Sequence, residues 1–370
     1  MTRPRIVIAS NTAWSIVNFR AGLIRALLDN GYDVVVIAQP DTSTSSLREL
    51  GCTFVPLHMD NTGVNPIRDL RLLVSFRQIL VTLAPFCVLA YTIKPNIYGS
   101  LAARGLGISV INNINGLGTV FIKPNWITRV AMSLYRLALK SSKRVFFQNR
   151  SDQQFFLESD LVREYQTALL PGSGVNTTHF TPRQPSSLRS GGFLLIARML
   201  WDKGVGEYVT AAKEVRKRYP DCKFSLLGFL DLENKRAISR EQMDEWVSAG
   251  WIQYLGQTDD VRPFIGEADC IVLPSYREGT PRSLLEAASM AKPIITTDAV
   301  GCREVVEDGV NGFLVKVRDA DDLAKKMERM LSLHISERRE MGYRGREKVK
   351  REFDEKIVVE RYLAEIRAWA

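Results

Sequence analysis

Cysteine is sparse in this 370-residue chain and badly placed for either of its usual structural uses. Cys52, Cys87, Cys222, Cys270 and Cys302 are odd in number, scattered and without a CxxC pair, which argues against a disulfide framework and against a zinc site. Small core side chains are the expectation for all five. Long apolar runs are missing too. The uncharged stretches 78–93 and 105–122 are interrupted by Pro85 or by several Asn and Gly, and both fall short of the ~20 apolar residues that a spanning helix needs. No secretory leader is read at the start, where two arginines precede the short strand-like run Ile6-Val7-Ile8-Ala9 and no cleavage-type segment follows. A cytoplasmic location is expected. No G-x-G-x-x-G follows the first strand, so a dinucleotide oxidoreductase is a weak reading and no cofactor is expected.

Acidic residues are absent from one long stretch. Between Asp69 and Asp152 there is no Asp or Glu, although the stretch holds eleven Lys and Arg. Residues 1–185 carry 19 basic and 10 acidic side chains, hence all of the net charge of +9, while residues 186–370 hold 31 of each sign. The first half should present a positive face, suited to an anionic membrane surface, a polyanionic ligand or nucleic acid, if it is not simple drift in surface composition. Nucleic acid is the least favoured, because no helix-turn-helix, finger or aromatic RNA-binding signature accompanies the charge. Residues 125–140 place apolar side chains at helical spacing with only basic charges. Packing on a sheet and lying on a membrane are both compatible with that pattern.

What is present is α/β. Short β-branched runs alternate with helical patterns, the signature of parallel sheets covered on both faces. Strands are expected at 5–9, 33–38, 53–57, 87–90, 109–112 and 144–148, and again at 193–197, 223–227, 252–254, 270–273, 294–297 and 313–315. Between the two series, residues 182–192 are rich in Pro, Ser, Gly and Arg without periodicity, which suits a linker. The expectation is two Rossmann-like domains, 1–185 and 186–370, the second ending in helices. A ligand cleft between them would follow from the habit of open parallel sheets to bind at the carboxyl ends of their strands.

Residues 276–286 read Tyr-Arg-Glu-Gly-Thr-Pro-Arg-Ser-Leu-Leu-Glu. Thr280 is expected to cap a helix that has Pro281 in its first turn, leaving the amides of Arg282 and Ser283 at a positive helix end that attracts anions. Glu278 would lie in the loop and Glu286 about one and a half turns inside the helix. A solvated Glu278 and a salt-bridged Glu286 are the plain alternative. Upstream, Arg198 and Lys203 leave a strand end and enter a helix start, where two cations can neutralise a departing diphosphate without a metal. Two solvated surface cations would look the same. The Asp319-Ala320-Asp321 triplet reads as helix capping, and no metal site is expected.

In combination, Arg198, Lys203 and the Glu278/Glu286 pair resemble the donor-site signature of the family 4 glycosyltransferases, and the resemblance spans nearly the whole chain. It implies a GT-B fold and a retaining hexosyltransferase that uses nucleotide-activated sugars. By resemblance, Glu278 faces the donor sugar, Gly279 and Thr280 lie beside its hydroxyls with Pro281 next to them, Glu286 holds the ribose, and Arg198 and Lys203 bind the diphosphate. Attack from the face of the leaving group needs no protein nucleophile, so the paired-carboxylate scheme of glycosidases does not have to apply. The opening loop Ser10–Ser15 departs from the family in having no glycine, and Asn115 stands where many relatives carry a histidine. None of His58, His179 and His334 falls at that place near the donor sugar, so a general-base histidine is not expected; Asn115 is a candidate donor-binding residue for a sugar hydroxyl, or an ordinary loop residue.

The pieces Asn18-Phe19-Arg20, Thr92-Ile93-Lys94-Pro95-Asn96 and Gly116-Leu117-Gly118 further resemble bacterial N-acetylgalactosaminyltransferases that extend sugars on diphosphoundecaprenol. That implies a UDP-sugar donor, a polyprenyl-diphosphate-linked acceptor met by Arg20 and Lys94, and peripheral work at the inner face of the cytoplasmic membrane. A sugar-nucleotide epimerase of the same architecture and a non-catalytic sugar-nucleotide-binding protein are the alternatives.

Overall fold

The β-branched runs fold as strands whose inner residues are buried on both faces, as in Asp33–Gln39, where Val34 through Ala38 are all buried. The computed structural model describes residues 3–60, 65–117, 126–183, 192–231 and 234–369; Gly118, Asn125 and most of the expected linker, 184–191, lie outside them. The chain divides into two units, Met1–Ser173 together with Glu355–Ala370, and Gly174–Asp354.

In the first unit the strands are β1 (Arg5–Thr12), β2 (Asp33–Gln39), β3 (Thr53–Pro56), β4 (Cys87–Tyr91), β5 (Ser109–Ile114), β6 (Arg144–Phe147) and β7 (Thr167–Leu169). The helices between them are α1 (Ala13–Asp29), α2 (Thr44–Glu49), α3 (Pro66–Leu83), α4 (Ser100–Arg104), α5 (Trp126–Leu139) and α6 (Arg150–Glu158). The sheet runs β3-β2-β1-β4-β5-β6-β7, all parallel. Strand order reverses between β1 and β4, and at such a switch point a doubly wound sheet binds ligand beyond the strand ends. Local signals set the helices there. Thr12 caps α1 by accepting from the Ser15 amide at 3.2 Å, and Asn65 caps α3 by accepting from Ile67 and Arg68, with Pro66 in the first turn.

The second unit repeats the design. Its strands are β8 (Phe193–Ile196), β9 (Phe224–Leu227), β10 (Gln253–Tyr254), β11 (Cys270–Leu273), β12 (Ile294–Thr297) and β13 (Gly312–Val315). Its helices are α7 (Val205–Arg216), α8 (Arg240–Ser248), α9 (Arg262–Glu267), α10 (Arg282–Ser289), α11 (Ala320–Ser332) and α12 (Ile335–Glu352). The parallel order β10-β9-β8-β11-β12-β13 puts its switch point between β8 and β11. One apolar core joins α7, α8 and α11 to one face of this sheet, and a second joins α9, α10 and α12 to the other.

Three features differ from the sequence expectation. The last helix, α13 (Glu355–Arg367), belongs to the first unit and not to the second. It buries Val358, Tyr362, Leu363 and Ile366 in the core of the first sheet. The Tyr362 ring lies 5.0 Å from that of Phe146, its hydroxyl accepts from Asn113 Nδ2 at 2.8 Å, and Glu365 pairs with Arg144 at 2.7 Å. At α10 the N-cap is Pro281 and not Thr280. Pro281 has extended ψ of 113°, so the helix begins one residue later, and Pro281 itself offers no side-chain cap. The short edge strand β7 had no expectation at all. Asp319, by contrast, caps α11 through the Asp322 amide at 2.8 Å.

Candidate active site

In the second unit the switch point collects the residues singled out for the donor except Asn115, which lies in the first unit beside Arg20. The chain leaves β8 at Ile196, exposes Arg198, and makes one tight turn at Trp201–Lys203 before α7. Gly204 joins turn to helix at φ +71°, and a Cβ there would stand 2.1 Å from the Pro274 carbonyl oxygen, so only glycine lets the two loops approach this closely. The second loop leaves β11 through Pro274, and its Tyr276 amide donates to the Asp202 carbonyl at 2.9 Å. Asp202 is in turn paired with Arg236. The two loops are therefore stitched by backbone contacts.

That stitching brings Lys203 and Glu278 into an ion pair, with only 17% and 15% of their side chains exposed. A third loop supports the carboxylate. The Glu278 amide donates to Val300 O at 2.9 Å, and Gly301, at φ +88°, lies so close that a Cβ would come within 2.4 Å of Glu278 O and 2.5 Å of Gly279 O. Beneath it, burial pushes the Cys302 thiol up to about 12, with the nearby Glu278 charge adding to the effect, so this cysteine stays protonated and inert. Glu286 sits on the fifth residue of α10 and accepts from Arg282 Nε at 3.0 Å. Burial raises its carboxyl above the ordinary range while the Arg282 charge opposes that rise. Arg198 makes no ion pair with any described residue.

The first unit assembles a different cluster. Arg20 is 5% exposed on the inner side of α1, its guanidinium carbon 4.3 Å from the centre of the Tyr91 ring. Its nitrogens donate to Phe19 O at 3.1 Å and to Asn115 Oδ1 at 3.3 Å, and Asn115 also accepts from Gln148 at 3.2 Å. No carboxylate pairs with Arg20 among the described residues. Such a buried cation is costly when nothing neutralises it. Lys94 is not part of this cluster in the same sense, because its ammonium already pairs with Asp69 at 2.7 Å.

Several supporting residues escaped the sequence reading. Asp69, Gly301, Arg236 and Tyr276 act through contacts distant in sequence, with no local signal except a glycine just after a strand at Gly301. Arg282 was within reach, since it stands four residues before Glu286.

Comparison with known proteins shows the family and the fold. Residues 5–149 match the glycosyl transferase 4-like family and residues 191–333 match the glycosyl transferases group 1 family. The chain is 30% identical over 376 residues to the N,N'-diacetylbacillosaminyl-diphospho-undecaprenol alpha-1,3-N-acetylgalactosaminyltransferase of Campylobacter jejuni, covering 97% of each protein. The chain belongs to this glycosyltransferase family. It is also 24% identical over 290 residues to the Escherichia coli UDP-Gal:alpha-D-GlcNAc-diphosphoundecaprenol alpha-1,3-galactosyltransferase, covering 75% of this chain and 74% of that protein. Among solved structures, Anabaena Alr3699/HepE in complex with UDP-glucose superposes with a TM-score of 0.81 at 16% identity, covering 99% of this chain and 100% of that one. Sucrose-phosphate synthase from Thermosynechococcus elongatus gives 0.80 at 18% identity, covering 99% of both chains. The glycosyltransferase thus has the GT-B architecture of two parallel-sheet Rossmann-like units.

Proposed function

We propose that this glycosyltransferase moves an N-acetylhexosamine, N-acetylgalactosamine in the first instance, from its UDP form to a polyprenyl-diphosphate-linked sugar, with retention and without a metal. The observation that carries the reading is the Lys203–Glu278 pair beside unpaired Arg198 at the switch point of the second sheet. Arg198 and Lys203 bind the diphosphate, which competes with Glu278 for the lysine ammonium and releases the carboxylate to face the sugar. The C1–oxygen bond to the diphosphate breaks as the acceptor oxygen bonds to C1 from the same face. The acceptor proton passes to the departing diphosphate, whose charge the two cations hold. Glu286 takes the ribose, and Gly279, Thr280 and Pro281 line the sugar.

In the first unit, Arg20 is the contact for the acceptor diphosphate, with Asn115 held beside it for a sugar hydroxyl. Lys94 contributes only if the anion draws it from Asp69. Work at an anionic membrane face is supported by α3 and α5. No helix among the described residues is long and apolar enough to cross a membrane. Instead α3 exposes Ile67, Leu70 and Val74 between Arg68, Arg71 and Arg77, and α5 exposes Trp126, Val130 and Leu137 beside Arg129 and Arg136.

Three assays test the reading. UDP release should require both donor and acceptor and persist in a chelator. The anomeric configuration of the product, read by NMR, should match that of the donor. Pelleting with vesicles containing anionic lipid should weaken on Leu70→Asp, and equal pelleting of the variant would reject the membrane face.

A further inference from the structure

Away from α10, on the sheet face covered by α7, α8 and α11, lies a cavity of about 490 Å³. Its size falls in the ~300–1,000 Å³ range of small-ligand sites. Three of the six tryptophans of the chain line it, Trp201, Trp246 and Trp251, together with Glu207, Lys213 and Arg318. Trp201 is 40% exposed and meets Trp246 edge to face, with ring centres 5.9 Å apart. It reaches that position across Gly206, where a Cβ would come within 2.7 Å of the indole.

The polar groups are unusual in being left over. Glu207 Oε1 accepts from the Tyr276 hydroxyl at 2.6 Å, but its Oε2 is buried without a hydrogen-bond partner. A buried carboxylate oxygen without a donor is costly, and a modest turn of the Glu207 side chain toward the cavity would let a ligand hydroxyl satisfy it. Lys213 stands 4.5 Å over the Trp251 ring and Arg318 stands 4.6 Å over the Tyr276 ring, and neither has a carboxylate partner among the described residues.

We propose that this cavity binds a pyranose unit of a glycan, as a second saccharide site beyond the donor and acceptor positions of the transfer reaction. The chemistry selects a polyol. A cationic ligand would meet Lys213 and Arg318, and a phosphate would meet the Glu207 carboxylate. The several hydroxyls of one sugar can donate to Glu207 and accept from the cations, while the apolar C–H face of the ring lies on an indole. The site also touches the reaction machinery, because Tyr276, which Glu207 holds, lies two residues before Glu278.

Saturation-transfer NMR on the full chain tests this, with methyl glycosides of glucose, galactose, N-acetylglucosamine and N-acetylgalactosamine at tens of millimolar and UDP saturating the donor site. Transfer to the ring protons of at least one glycoside should persist under UDP, with Kd about tenfold or more weaker in Trp251→Ala and in Lys213→Ala. Lys213 is exposed, so that variant decides the matter if Trp251→Ala fails to fold by circular dichroism. No transfer to any glycoside, transfer abolished by UDP, unchanged affinity in the variants, or binding only of tetramethylammonium or inorganic phosphate would each overturn the assignment. Because Trp251 and Lys213 take no part in donor or acceptor binding as assigned above, the loss of affinity in their variants reads this site and not the transfer reaction.

Discussion

Near its switch point, each of the two sheets has an arginine without a carboxylate and a lysine paired with one. In the first unit these are Arg20 and the Lys94–Asp69 pair; in the second they are Arg198 and the Lys203–Glu278 pair. The difference is burial of the arginine. Arg198 is exposed, where an unpaired charge costs almost nothing and says little by itself. Arg20 is 5% exposed, and its charge is stabilised only by an aromatic face, an asparagine and a backbone carbonyl. An unpaired cation at that depth is tolerated where an anion completes it. Sequence alone ranked these residues the other way, because the donor motif is specific and the acceptor pieces are not.

The largest difference between the two units is expected at Glu278. Glu278→Ala should lower kcat by about 10²–10³-fold, the size of effect seen when one transition-state electrostatic partner is lost. It should leave the Cys302 thiol and the fold in place, which a thermal melt would check. The lysine of the first unit should behave differently. Lys94→Met strands the Asp69 carboxylate, 9% exposed, and should destabilise the first unit by roughly 3 kcal/mol, with a smaller effect on turnover. Arg20→Met removes a charge that had no carboxylate, so the melting temperature should hold or rise while the acceptor KM increases about 30-fold. If Arg20→Met unfolds the protein and Lys94→Met does not, the assignment of roles is reversed.

Glu286 gives a subtler test through pH. Burial raises its carboxyl above the ordinary 4.5, against the pull of Arg282. The folded state therefore holds this proton more tightly than the unfolded chain does. The stabilisation it gives is complete below the unfolded value and is lost as pH rises through the folded one. Glu286→Gln should remove that loss, leaving the second unit slightly more stable than the parent at neutral pH and equal to it in acid, while donor affinity falls. Calorimetry across that range reads the difference, and a variant that is less stable at neutral pH contradicts it. The smallest effect is expected at Asp319→Ala, which removes a helix cap and should cost about 1 kcal/mol with no kinetic consequence.

Much of this was legible because it is local. All twelve expected strands are present, since buried parallel strands read as continuous β-branched runs between Gly, Asn and Pro. β7 escaped because Thr167, Ala168 and Leu169 are too few to show a period. The return of α13 to the first sheet depends on Asn113 meeting Tyr362 and Arg144 meeting Glu365, partners more than 200 residues apart. The same limit applies to the site. Arg198, Lys203 and Glu278 are named by their motif, but that the lysine holds the glutamate across 75 residues is a property of the fold. The burial of Arg20 is likewise set by Tyr91 and Asn115, which α1 does not contain. One residue too far was assigned to α10 because Thr280-Pro281 fits a capping pattern that the backbone at Pro281 does not adopt.

The central claim is acceptor-dependent transfer from a UDP-sugar through Glu278. UDP release from UDP-N-acetylgalactosamine, with and without a short polyprenyl-diphosphate-sugar, in the parent and in Glu278→Ala, measures it most directly. Release that requires the acceptor and is lost in the variant is the predicted result. Release that ignores the acceptor, or that survives in Glu278→Ala, would contradict the account.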